Sequence, residues 1–135
     1  MAEIQDIVAL VVAGGVIESA AIFVVRPGSN ELTLAAAAGI EGPARDGLVA
    51  AVRNPAHPIV RALTDDGPTF DVQPMNPGGP ALRSHLPLVA PGPGDRSVVG
   101  VLAVSHDRAL TAEERATLEH LAAAAAAATA GSAQS

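Results

Sequence analysis

Apolar residues occupy both parities of the stretch Ser97-Val98-Val99-Gly100-Val101-Leu102-Ala103-Val104-Ser105. As a strand it has no face that sits comfortably in water, which predicts a central strand covered on both sides. His106 to Leu110 lead from it into Thr111-Ala112-Glu113-Glu114, a capping-box signature for a helix start. The helix that follows is predicted over about Ala112 to Thr129, with Leu118, Leu121, Ala122 and Ala125 as its buried stripe. The run Ala122–Ala128 has the best intrinsic helix propensity available, and Gly131 to Ser135 are expected to fray.

The rest of the chain extends this plan backwards. Ile4, Ile7, Val8 and Val11 fall on one face of a helix over Ala2 to Ala13, ended by Gly14-Gly15. Ser19–Val25 and Leu32–Ala38 read as strands joined by turn chemistry at Arg26–Glu31, an antiparallel hairpin. Gly39 closes it. A helix over Pro43 to Val52 must stop before Pro55, and Pro58 opens a short helix carrying Ile59, Val60 and Leu63. Pro68–Val72 is a brief strand, and Pro74–Pro80 is too rich in Pro and Gly for anything but a loop. Leu82–Val89 alternates: Leu82, Ser84, Leu86 and Leu88 share the core face, while Arg83, His85, Pro87 and Val89 point to the other side. Pro91–Asp95 turns the chain into the central strand.

Hairpins at both ends imply an α+β domain: a central antiparallel sheet of five to six strands with the N- and C-terminal helices on one face. The short helices and loops are left to cover the opposite, pocket-bearing face. Residues 1–130 read as one domain and 131–135 as its tail, and 135 residues suffice for a real core.

Composition narrows the chemistry. Phe23 and Phe70 are the only aromatic residues, so the core is aliphatic and no stacking platform for single-stranded nucleic acid exists. A formal charge of −6 also opposes polyanion binding, so no nucleic-acid partner is expected. Every basic residue apart from histidine is Arg; without Lys there is no Schiff-base lysine and no P-loop. Without Cys there are no disulfides, thiol nucleophiles or Cys-ligated metals. The apolar run Ile7–Ala13 follows Glu3 and Asp6 rather than a basic segment and falls short of a membrane span. A cytoplasmic protein without a membrane partner is expected.

Several segments, in their order and spacing, resemble the GAF domains. Ala21–Val25 with Leu32–Gly39 is similar to that family's first hairpin, and His57–Leu63 to the helix before its third strand. Ser84-His85-Leu86-Pro87-Leu88 followed by Val99-Gly100-Val101-Leu102-Ala103-Val104 is similar to its Pro-Leu and Gly-Val-Leu strand pair, and Thr111–Glu114 before an Ala/Leu-rich helix to its ending. The resemblance implies a GAF/PAS-like sensory fold and a regulatory module that binds a small molecule, dimerises through its terminal helices as a homodimer, or both. It implies either a stand-alone module or part of a longer regulator.

Residue types remove several chemistries of such domains. Free methionine sulfoxide reduction and covalent bilin attachment both need cysteine; the missing Asn-Lys-Phe-Asp-Glu signature leaves cyclic-nucleotide binding unsupported rather than removed. No enzymatic activity is expected: Ser84, Ser97 and Ser105 lack a nucleophile elbow, while Asp65-Asp66 and Glu113-Glu114 suit turn and cap roles. The candidate ligand residues are His57, Asp71, Arg83 and His85, with Arg83 suited to a carboxylate or phosphate and the histidines to donating or accepting. Against this stands a solvated face with Arg83 paired to Asp71, and His57 capping its helix. No cofactor is specified. The four His include no His-x-x-x-His pair, so a haem or metal sensor is a lesser alternative, as is a ligand-free dimerisation scaffold.

Overall fold

A computed structural model describes residues 4–25, 31–40, 42–54, 56–64, 67–72, 82–90 and 98–133. The turn at Arg26–Asn30, the acidic pair Asp65-Asp66, the loops Pro74–Pro80 and Pro91–Asp95, and Ser97 lie outside them. Among the described residues, five strands form one antiparallel sheet: β1 (Ile17–Val25), β2 (Leu32–Ala38), β3 (Thr69–Val72), β4 (Leu82–Val89) and β5 (Val98–His106), in the order β2-β1-β5-β4-β3. The strand that is apolar on both parities is therefore the middle one, bonded to β1 on one side and β4 on the other. Its two faces feed two separate cores.

On one face, Leu102 and Val104 of β5 join Ala20 and Ile22 of β1 and Leu86 and Leu88 of β4. Helices α1 (Ile4–Ala13) and α4 (Ala112–Ala133) cover this layer with Ile7, Val8, Val11, Leu118, Ala122, Ala125 and Ala126. On the other face, Val101, Ala21 and Phe23 meet Val52 after α2 (Pro43–Ala51), Ile59 of α3 (Pro58–Arg61) and Ala62 of the following 3-10 turn, Ala62–Thr64. Placing both terminal helices on one side follows from the alternation of Leu82–Val89 and the one-face stripes of the helices.

The capping box forms as its spacing requires. The Glu114 N–H donates to Thr111 Oγ1 at 3.2 Å, and the Thr111 N–H donates to Glu114 Oε1 at 2.8 Å. Arg108 adds a bidentate pair to the same carboxylate, at 2.9 and 2.7 Å. Together these contacts hold the Glu114 carboxyl at about 2, the Arg108 pair being the leading cause. The helix does not stop near Thr129 but continues to Ala133. Once a helix is nucleated and docked, each further residue adds a hydrogen bond at little cost, so Gly131 fails to end it.

Among the described residues four register irregularities interrupt the sheet, and two of them bear on the site. Phe23 pairs with Leu34 while Ile22 pairs with Ala36, so Ala35 is an extra residue in β2. Leu32 and Leu34 thereby face the α2/α3 side, and Ala36 and Ala38 face the α1/α4 side. In β3, Thr69 pairs with His85 and Val72 with Arg83, so Phe70 and Asp71 stand against the single residue Ser84. Asp71, at φ 58°, absorbs the difference.

Gly100 is fixed by close approach. A Cβ there would overlap the carbonyl oxygen of Phe23 on the neighbouring strand.

Candidate ligand-binding site

The α2/α3 face of the sheet carries a cavity of about 530 Å³. Its existence follows from which small residues the register aligns. Ala37, Ala21 and Ala103 pair in turn across β2, β1 and β5, and Ala103 pairs with His85 of β4. Methyl side chains leave space above the sheet that the next row does not: there Leu34, Phe23, Val101 and Pro87 stand side by side and fill it. In the other direction lies a polar row, Ser19, Ser105 and Arg83. Ala21 and Ala103 form the floor, Gly47, Leu48 and Ala51 of α2 one wall, and His57 and Ile59 another.

Three of the four candidate residues meet here. Arg83 and His85 reach the cavity because both have the parity opposite to the core leucines; Arg83 is half-buried and His85 is 4% exposed. His57 does two jobs at once. Its Nδ1 accepts the Ile59 N–H at 3.2 Å, capping α3, while its ring lines the cavity. Accepting at Nδ1 places the remaining ring proton on Nε2. Burial, with the positive charge of Arg83 second, lowers its pKa.

Asp71 is not part of this cavity, and the expected pairing with Arg83 does not form. In a regular strand Asp71 would lie opposite Arg83; the extra residue in β3 puts Val72 there instead. Asp71 turns toward α4. Its Oδ1 accepts the Leu110 N–H at 3.0 Å and its Oδ2 the Arg115 guanidinium, which lies 4.9 Å from the centre of the Phe70 ring. Burial acts to raise the Asp71 pKa, but the Leu110 amide and Arg115 outweigh it and hold the carboxyl below the usual aspartate value.

Beside Asp71 runs a buried polar chain that the sequence did not announce. The Asp71 N–H donates to Ser84 Oγ at 3.2 Å, and Ser84 Oγ lies 2.8 Å from His106 Nε2. His106 Nδ1 lies 2.7 Å from the Arg108 carbonyl, which can only accept, so the Nδ1–H donates and Nε2 accepts the hydrogen bond of the Ser84 hydroxyl. Both side chains are fully buried, which removes the Ser84–His106 pair from contact with any substrate. Its role is to tie β3, β4 and β5 to the segment that starts α4.

Other features of the cavity were also not legible beforehand: the alanine floor, the helix glycine Gly47, and Glu18 at the rim. A strand's period of two gives Ala21 and Ala103 the parity of Phe23 and Val101. Only the long-range register shows that they are adjacent. Glu18 is exposed and lies with Asp107, whose hydrogen bond and charge raise the Glu18 pKa. Among the described residues, no three His, Asp or Glu side chains gather as a metal site, and no helix is long and apolar enough to cross a membrane.

No protein-family model and no curated protein matches the sequence. Solved structures do. The GAF domain of a phosphoenolpyruvate-protein phosphotransferase from Coxiella burnetii superposes with a TM-score of 0.74 over 97% of this chain and 82% of that one, at 16% identity. Its counterpart from Acinetobacter gives 0.70 over 99% and 86%, at 13% identity. The second GAF domain of DevS from Mycobacterium smegmatis gives 0.60 over 98% and 96%, at 22% identity. With the strand order, the two helical layers and the cavity already described, these likenesses give the chain the fold of the GAF domains.

Proposed function

We propose that the chain is a regulatory sensor module that binds a small molecule in the cavity between the sheet and α2/α3. The observation that carries this reading is the alanine floor, where Ala21 and Ala103 hold open space beside Arg83, His57 and His85 in an otherwise filled layer. A volume of about 530 Å³ is within the range of small-molecule sites. The polar chain from Ser84 through His106 and Asp71 begins between the cavity residues Arg83 and His85 and ends at α4. That gives occupancy a route to the terminal helix. A thermal-shift screen of metabolites on the wild-type chain and on Ala103→Leu tests the reading. Hits that stabilise the wild type and vanish in the filled variant support it; hits unaffected by the substitution place binding elsewhere and defeat it.

A second reading is favoured by the opposite face. Leu10 is 61% exposed on α1, beside an apolar groove of about 220 Å³ between α1 and α4. Homodimerisation through these helices would cover it, with or without a ligand in the cavity. Light scattering during size exclusion decides this: a strict monomer at high concentration removes the dimer.

A further inference from the structure

The cavity has two chemically different ends. At one end the Ser19 and Ser105 hydroxyls hydrogen-bond to each other beside Arg83. At the other, Ala21 and Ala103 face Leu48 and Ile59, and the Phe23–Val101 row closes the space. Successive rows on one sheet face stand about 6.7 Å apart, so a ligand of a few carbons touches both ends. Among the described residues, the titratable groups around the space are Glu18, His57, Arg83 and His85. Arg83 makes no hydrogen bond or ion pair with another described residue, which leaves its planar fork available. His57 is disfavoured as a cation by burial and by Arg83, and offers an Nε2–H donor instead.

The rim sets an upper limit on ligand charge. Glu18 and Asp107 lie together at the polar end, and the chain carries −6 overall. A phosphate monoester, close to −2 at neutral pH, brings more charge than one guanidinium offsets and meets this acidic pair. A single carboxylate matches the guanidinium one to one and bidentately.

Building on the reading of this cavity as the ligand site, we infer that it takes a monoanionic carboxylate with an apolar body. The carboxylate sits on Arg83 and the carbon chain lies over Ala21 and Ala103, under Leu48 and Ile59. Phe23 is buried in the closing row, so the floor offers methyl groups rather than an aromatic face, and the apolar body that lies on it is aliphatic.

Three probes of equal chain length separate the terms: hexanoate, hexanamide and hexyl phosphate, titrated into the isotopically labelled chain while the amide cross-peaks of Ala21, Arg83 and Ala103 are followed. Hexanoate should shift them saturably, and hexanamide and hexyl phosphate should bind about tenfold more weakly or worse. Arg83→Gln should weaken hexanoate by about tenfold and leave hexanamide unchanged. Should Arg83→Gln lose its dispersed spectrum, the wild-type contrast between hexanoate and hexanamide decides alone. Hexanamide binding as tightly as hexanoate, or hexyl phosphate binding tightest, overturns the monoanionic carboxylate while leaving the cavity as a ligand site. If no probe, charged or neutral, moves the cavity cross-peaks at millimolar concentration, the inference and the ligand-site reading fall together.

Discussion

Replacing Asp71 tests how α4 is held to the sheet. The helix's buried stripe is Leu118 with Ala122, Ala125 and Ala126, and Leu121 packs half-buried beside them. At about 0.8 kcal/mol for each buried methyl-sized group and about 2–3 kcal/mol for a leucine, apolar burial by that stripe is modest. The Asp71 carboxylate is therefore comparable in weight. Asp71→Ala strands the Leu110 N–H, on a residue 6% exposed, at a cost of about 1–3 kcal/mol. It also loses the Arg115 pair, worth no more than about 0.5–1 kcal/mol because the side chains are 18% and 43% exposed. An alanine at φ 58° adds about 1 kcal/mol of left-handed strain. The expected loss is about 3 kcal/mol, or roughly 10 °C in Tm for a domain of this size. Asp71→Asn retains an oxygen acceptor and tolerates the conformation, so it should lose only about 1 kcal/mol. Asp71→Gly relieves the backbone but strands both partners, and should fall between the two. With no Trp or Tyr, intrinsic fluorescence is uninformative, and urea unfolding is followed by far-UV circular dichroism. An alanine variant within about 0.5 kcal/mol of wild type, or an asparagine variant as damaged as the alanine one, would refute the argument.

Three further outcomes follow from the same contacts. Gly47→Ala should stabilise the chain by about 0.5–1 kcal/mol in urea, because the position is inside α2 and an added Cβ meets nothing within 4 Å. Gly100→Ala should cost about 3 kcal/mol or prevent folding, since the Phe23 backbone cannot retreat without breaking the β1–β5 pairing; unfolding or soluble yield reports it. Glu114, whose pKa falls from 4.5 to about 2 on folding, contributes stability that is fully present above about pH 4.5 and is lost as pH falls through about 2. Glu114→Gln should therefore flatten the acid limb of the urea midpoint in that window while leaving the slope near neutral pH unchanged.

The residues that were legible in advance share one property: their signal is local. Both-parity apolarity marked β5 as central, the Thr111–Glu114 spacing announced the start of α4, and the alternation in β4 sent Arg83 and His85 to the cavity side. His57 beside Pro58 announced both its cap and its place near the site. Asp71 shows where this stops working. Strict alternation from Thr69 places it opposite Arg83, and one extra residue in β3 sends it to the other face, against Arg115. His106 falls just past the Ser97–Ser105 strand expected from the sequence, so neither its burial at the end of β5 nor its partners Ser84 and the Arg108 carbonyl were legible.

The elements, their buried faces and the chemistry ruled out by the lack of Lys and Cys could all be read along the chain. Those depend on neighbours a few residues away, through side-chain period, capping and the backbone limits of Pro and Gly. Tertiary structure decided the cavity and the anchoring of α4. An empty floor exists only because Ala21 and Ala103, far apart in the chain, pair side by side in front of the Phe23–Val101 row. Asp71 serves the helix rather than the ligand side only because a bulge shifts its strand by one residue. A strand's period of two makes such a shift an exchange of faces, and its position is set by pairing with distant residues rather than by the residues beside it.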